Sequence, residues 1–317
     1  MLSFPQGFFE NEVREDFLID STMKTVWAAG MEVLAAIAEV CAKYQLPWFA
    51  DWGTLLGAVR HNGYVPWDDD LDICMLRPDY DRLLEVLQQE LPEGYFVYNG
   101  VCGHEQEQFW TCVMNSDTIS LEPERLQAFH GCPFIVGVDI YPLDYLPRDP
   151  KVAEAEMNLF VLIWKTAQLA KVKDRNKSQR KELKDALQAL EQFCNVKFDR
   201  DGDLVTQLFM LANQVVAAYG EEDGDQVVLF TTYASNPKVV LDKHWYDDTE
   251  YVPFECVEMP VPWKYHEVLT KEYGDYSIRV RDNGGHEYPY YNKQLAEMRR
   301  RLKEMEEQVE GKSGETK

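Results

Sequence analysis

The sequence predicts an α/β (α+β) fold, a mixed β-sheet flanked by helices. Three observations carry this. Segments with helical apolar periodicity alternate with short strand-like segments between about residues 11 and 141, and long helical segments follow Pro147-Arg148-Asp149-Pro150. Strand-like sequence then returns at Val227 to Tyr233 and Tyr251 to Glu258.

Taken in order, Asn11 to Tyr44 reads as a helix whose stripe of Val26, Trp27, Met31, Val33, Leu34, Ile37, Val40 and Cys41 is interrupted at Gly30. Pro47 ends it. Trp48-Phe49-Ala50 reads as a short strand, Gly53-Thr54 as a turn, Leu55 to His61 as a short helix, and the acidic run after it as a strand. Arg77-Pro78-Asp79 opens a helix packed through Tyr80, Leu83, Leu84 and Leu87, which Pro92-Glu93-Gly94 closes. Strands are expected at Tyr95 to Tyr98, Phe109 to Asn115 and Phe134 to Tyr141, and helices at 151–172, 178–194 and 203–219. A further helix ends near Tyr273-Gly274. The last, 291–309, spaces Leu295, Met298, Leu302, Met305 and Val309 as a short heptad seam. Docking on its own domain is the plainer reading of that seam, and a homodimer through this helix is the alternative. The tail 311–317 is expected to be disordered.

The chain of 317 residues carries a formal charge of −23, which argues against general affinity for nucleic acid or anionic lipid. An anionic substrate must meet a local basic site or a metal. Seven scattered cysteines suit a reducing compartment better than a disulfide framework. With no leader-like amino terminus and no stretch approaching the roughly 20 apolar residues of a membrane span, a cytoplasmic protein is expected, with peripheral contact at the inner face of the membrane.

Trp67-Asp68-Asp69-Asp70-Leu71-Asp72-Ile73 places four carboxylates in seven residues. Such a cluster is costly without a cation. In an extended segment Asp70 and Asp72 share one face, their Cα atoms roughly 6.5 Å apart, while Leu71, Ile73 and Met75 face the core. Asp69 then points away, and Asp68 stands at the strand entrance. Phe134-Ile135-Val136-Gly137-Val138-Asp139-Ile140-Tyr141 alternates in the same way, with Asp139 on the face of Gly137, whose missing side chain leaves room for a ligand. If the two strands are neighbours, Asp139 joins Asp70 and Asp72 in a set able to hold one or two Mg²⁺ (or Mn²⁺) ions, which favours phosphoryl chemistry.

Gly53-Thr54 before a helix offers an anion site, and Arg60 can reach a phosphate or a carboxylate. As isolated features, Thr54 reads as a helix cap and Arg60 as a partner of the helix dipole. Calcium is the competing cation, because Asp68, Asp70 and Asp72 match the start of an EF-hand loop. Ile73 stands where that loop needs Gly. Cys102, His104, Cys112, His130 and Cys132 are zinc-ligand types without a standard spacing. Lys165 to Lys184 form a basic stretch that reads as a solvated helix face or as a dock for a lipid-linked or polyanionic acceptor.

Leu55-Leu56-Gly57-Ala58-Val59-Arg60-His61, Pro66-Trp67-Asp68-Asp69-Asp70-Leu71-Asp72-Ile73 and Val138-Asp139-Ile140-Tyr141-Pro142-Leu143-Asp144 resemble the LicD family, related to fukutin-type transferases. Weaker matches continue at Pro260-Val261-Pro262, Tyr273-Gly274-Asp275-Tyr276 and His286. Ile278-Arg279-Val280-Arg281 departs from the proline-containing stretch that usually follows.

The resemblance implies a nucleotidyltransferase fold, with 1–150 as its catalytic core and 151–317 completing the same domain. It implies catalytic and metal-binding roles for Asp70, Asp72 and Asp139, and transfer of a phospho-alcohol such as phosphocholine from a CDP-linked donor. It implies as acceptor a glycan or a lipid-linked glycan, such as a teichoic-acid precursor, with CMP as the leaving group. Gly53, Thr54 and Arg60 would hold the diphosphate. Trp67 would stack on the base or head group or else be structural, and Asp275 and His286 would close the site. The alternatives are a nucleotidyltransferase that moves NMP from an NTP, and a non-catalytic glycan- or nucleotide-binding scaffold.

Overall fold

Glu15 and Asp16 both take positive φ (52° and 58°) and turn the chain back between two short antiparallel strands, β1 (Glu12–Arg14) and β2 (Phe17–Ile19). The computed structural model describes residues 1–99, 109–281 and 288–314, of which 304–314 are described as backbone only. The expected helix from Asn11 therefore begins later, as α1 (Ser21–Tyr44), because the Asp20 carboxylate accepts the Met23 N–H at 2.8 Å and caps it there. Gly30 does not interrupt this helix; it packs in its buried middle against Tyr64, Leu71 and Val136. By length and composition α1 is apolar enough to cross a membrane, contrary to the sequence expectation, and most of its apolar window is buried inside the protein.

The chain continues through β3 (Phe49–Ala50), α2 (Trp52–His61), β4 (Asp72–Leu76), α3 (Arg77–Glu90), β5 (Phe96–Tyr98), β6 (Thr111–Met114), α4 (Pro123–Ala128) and β7 (Gly137–Leu146). The sheet order is β3-β4-β7-β6-β5, with β4 and β7 parallel and the other pairs antiparallel. This is the predicted mixed sheet flanked by helices. Leu71, Ile73, Met75, Val138 and Ile140 are all buried on its apolar side.

Helices α5 (Pro150–Lys171), α6 (Lys177–Cys194) and α7 (Leu204–Val216) follow, then β8 (Gln226–Val228), α8 (Phe230–Ser235) and β9 (Leu241–Asp242). The expected strand at 227–233 thus stops at Val228, and Phe230 enters the helical core instead. A hairpin of β10 (Thr249–Phe254) and β11 (Val257–Pro262) leads to α9 (Tyr265–Tyr273) and α10 (Asn292–Gly314). Leu295 and Met298 of α10 pack on the chain's own core, while Leu302 is exposed. Residues 315–317 lie outside the described set.

Arg77 joins the sheet to the helical region. Its Nε donates to the buried Asp144 Oδ1 (2.6 Å) and its Nη1 to Asn213 Oδ1 on α7 (2.9 Å), which is partly buried. Nearby on α5, Glu156 is buried with neither carboxyl oxygen bonded among the described residues. Burial, then the charge of Asp144, pushes it from 4.5 up to about 8. A folded pKa above the unfolded one means the native state holds an extra proton between those values, so stability falls as pH rises from about 4.5 to about 8. Glu156→Gln is expected to stabilise the protein at pH 8–9 by about 1–2 kcal/mol and to leave it unchanged near pH 4.5. Denaturant unfolding at the two pH values checks this; equal effects at both contradict it.

Candidate active site at the ends of two parallel strands

Asp72, the first residue of β4, lies directly beside Asp139 of β7 in the parallel register. Its backbone is fixed on both sides: its N–H donates to Thr54 Oγ1 (2.9 Å) and its carbonyl accepts the Asp51 N–H (3.0 Å). The Asp139 N–H donates to the Leu71 carbonyl (3.0 Å). Strand pairing and the start of α2 therefore hold the two carboxylates together.

Asp68 to Leu71 precede β4 rather than belonging to it. Trp27 Nε1 donates to the Asp68 carbonyl (3.0 Å), and the Tyr290 N–H donates to Asp69 Oδ2 (2.8 Å). The second bond anchors the buried Asp69, which does not point away from its neighbours as the alternation suggested, because one of its oxygens lies within 4.8 Å of oxygens of Asp68 and Asp70. Asp68, Asp70 and Asp72 all line one cavity of about 690 Å³, together with Gly53, Arg60, Trp67, Tyr141, Tyr273, Asp275 and Tyr276.

Helix α2 starts at Trp52, three residues earlier than expected, so Gly53 and Thr54 form its first turn rather than a preceding turn. Thr54 is neither the cap nor free for phosphate in the way the sequence suggested, since its hydroxyl accepts from Asp72. Trp52 has φ +46°, an uncommon conformation for a bulky residue, on the cavity wall. Gly53 is required by close approach: a Cβ there would stand 2.1 Å from Asp68 Oδ2. Gly137 behaves differently from the expectation. The space beside it is filled by Met114, 2.3 Å from where its Cβ would be, and holds no ligand pocket.

The carboxylates strain against one another. Burial, then the charges of Asp70, Asp139, Asp68 and Asp51, raises Asp72 well above the ordinary carboxylate range. Asp68 is raised by burial and then by Asp70. Burial lifts Asp139 to about 6, with hydrogen bonding from Cys112 and Tyr141 opposing the rise. Asp51, at the N-terminus of α2, is lifted by burial to about 7. Arg60 faces these acids from the cavity wall, its Nη1 donating to the Tyr276 carbonyl (3.0 Å). His286 lies outside the described residues, as do Cys102 and His104.

Residues 45–130 match the family described as "LicD/FKTN/FKRP, nucleotidyltransferase domain". The chain is 26% identical over 256 residues to the lipopolysaccharide cholinephosphotransferase LicD of Haemophilus influenzae, covering 78% of this chain and 88% of that protein. Both similarities are to the LicD family. Shorter similarities join it to an uncharacterised protein of Rickettsia prowazekii (44% over 59 residues, 19% of this chain and 22% of that one). Another, in Rickettsia typhi, is 38% identical over 69 residues, 20% of this chain and 22% of that one. The LicD match at 45–130 contains Gly53, Asp70 and Asp72, while Asp139 lies beyond it.

The donor set suits a hard divalent cation. Ligand oxygens of Asp68, Asp69 and Asp70 all lie within 4.8 Å of one another, and burial followed by mutual repulsion raises Asp68 and Asp72. Asp68 is the site residue that sequence reasoning underrated. Its signal was the glycine at position 53, whose purpose appears only when α2 is laid against the acidic run. Trp110, stacked on Tyr141 at 5.1 Å, was also missed. Among the described residues the zinc types form no metal-holding group: Cys112 opposes Asp139 in the strand register, while His130 bonds Glu32 at 2.7 Å.

Proposed function

We propose that this chain is a metal-dependent transferase that moves a phospho-alcohol, in the first instance phosphocholine, from a CDP-linked donor to a hydroxyl of a cell-surface glycan. Lipopolysaccharide and teichoic-acid precursors are the acceptor class. The observation that carries this reading is the pairing of Asp139 with Asp72, which lines a cavity together with Asp68 and Asp70. Support comes from the Haemophilus influenzae relative, named as a lipopolysaccharide cholinephosphotransferase.

Asp70, Asp72 and Asp139, with Asp68 beside them, would hold Mg²⁺ or Mn²⁺. When bound, the ion would neutralise the donor diphosphate and stabilise the leaving phosphate. Arg60 and the first turn of α2 at Gly53 would position the phosphate oxygens, which is most of what phosphoryl transfer requires of a protein. Asp139 is held between Cys112 and Tyr141 and would take the proton of the acceptor hydroxyl. The hydroxyl oxygen bonds to the phosphorus of the phospho-alcohol as the bond to CMP breaks. An anionic, lipid-linked acceptor would approach along the exposed Lys173, between α5 and α6, and Lys177 and Lys184 on α6. The six described cysteines are all free, in keeping with the cytoplasmic side for this reaction.

Product analysis tests the reading. Incubation with CDP-choline, Mg²⁺ and a glycan acceptor is expected to release CMP. Pyrophosphate released from a nucleoside triphosphate, with no CMP from any CDP-alcohol, would replace it with nucleotidyl transfer.

A further inference from the structure

We propose that Glu15, which does not itself line the cavity, is a positioning residue that fixes the Arg60 guanidinium on the cavity wall through His61 and through residues 275–281. The proposal rests on the reading that Arg60 holds phosphate oxygens. Arg60 makes two bonds among the described residues: Nη1 donates to the Tyr276 carbonyl (3.0 Å), and Nε donates to His61 Nδ1 at a long 3.5 Å. Both partners lead to Glu15. His61 Nε2 stands 3.2 Å from Glu15 Oε1. Asp275, Tyr276, Ile278 and Val280 line the cavity, and Tyr276 Oη pairs with His266 Nδ1 on α9 (2.8 Å). The far end of this segment is tied to Glu15: Arg279 Nη2 lies 3.0 Å from Glu15 Oε1, and Arg281 Nη2 donates to the Glu15 carbonyl.

The turn that carries Glu15 is fastened on both sides. Arg14 before it is bidentate to Glu255 (2.6 and 3.0 Å), and Phe17 after it packs edge-on against Trp67 at 6.1 Å. Glu15 Oε2 is buried with no hydrogen-bond partner among the described residues, so the carboxylate acts on its neighbours with little screening by water. With Nδ1 accepting from Arg60, a neutral imidazole carries its proton on Nε2, facing that carboxylate. Burial, then the charge of Arg60, holds His61 below its ordinary 6.5, which keeps the ring neutral near pH 7. These tethers matter because the cavity also holds Asp68, Asp70, Asp72 and Asp275, to which a loose guanidinium is drawn. Glu15 is the largest charge acting on Arg60, ahead of Arg279 and Tyr273. It lies outside the LicD-like motifs, and Arg279 and Arg281 fall where this chain departs from the family pattern.

The experiment measures dissociation constants of the full chain, with Mg²⁺, for inorganic pyrophosphate and for CDP-choline, in a double-mutant cycle on Glu15 and Arg60. Glu15→Gln is expected to weaken both probes by about 10-fold, and Arg60→Gln by more. In the Arg60→Gln background, Glu15→Gln is expected to change either probe less than about 2-fold, because the group it positions is gone. Glu15→Asp, which keeps the charge, is expected to recover part of the loss. Arg279→Gln, an exposed change, repeats the cycle if a thermal melt shows Glu15→Gln unfolded, with a loss of about 3-fold expected. No loss on removing the tether, or the same loss with and without Arg60, overturns the proposal. If pyrophosphate follows the cycle and CDP-choline does not bind, the positioning role stands and the donor reading fails. Wild-type protein that binds neither probe overturns both.

Discussion

Asp72→Asn is expected to lower turnover by about 10³-fold or more while the fold remains intact. Asparagine keeps the shape and the backbone bonds to Thr54 and Asp51 but removes the charge that faces Asp139 across the strand pair. The second expectation concerns stability and has the opposite sign. Asp72 is repelled by Asp70, Asp139 and Asp68 when no cation is added, so the variant should melt higher than wild type in EDTA, by about 2–4 °C. Added Mg²⁺ should raise the wild-type melting temperature and leave that of the variant nearly unchanged. A steady-state assay and thermal melts with and without Mg²⁺ check both halves. An active variant, or equal Mg²⁺ stabilisation of both proteins, would remove Asp72 from the metal site.

Gly53→Ala is the second large effect. The added methyl carbon would stand 2.1 Å from Asp68 Oδ2, so the carboxylate must move or the first turn of α2 must shift. Displacing a site carboxylate by about 1 Å is expected to cost about 10²-fold in turnover. Stability should change little, because alanine gains about 1 kcal/mol over glycine inside a helix and offsets part of the overpacking. Activity falling far more than stability distinguishes this from a packing defect. Asp68→Asn combined with Gly53→Ala should be less than additive, since both act on one carboxylate.

Period-two alternation was legible in β4 and β7 and sets Asp72 and Asp139 apart from the apolar residues beside them, whereas Asp70 precedes the strand and its place does not follow from alternation. Leu71, Ile73 and Met75 are buried, as are Val138 and Ile140, and the strand register then places Asp72 beside Asp139. What the alternation could not show was contact between segments far apart in the chain. The Thr54 hydroxyl reads as a cap or a phosphate ligand until Asp72, 18 residues later, is seen to donate to it. Gly137 reads as a ligand space until β6 brings Met114 against it. Asp68 gains its place only from Gly53 and from the Trp27 indole. The β1–β2 hairpin was hidden for a local reason: Val13, Phe17 and Leu18 continue the apolar tone of α1, and the turn at Glu15-Asp16 carries no glycine.

The central claim is that these carboxylates bind a divalent cation on which donor binding depends. Titrating CDP-choline into the wild-type protein by calorimetry, first in Mg²⁺ and then in EDTA, tests it most directly. The account predicts binding in Mg²⁺ that is lost in EDTA and lost in Asp72→Asn. Equal binding under all three conditions would contradict it.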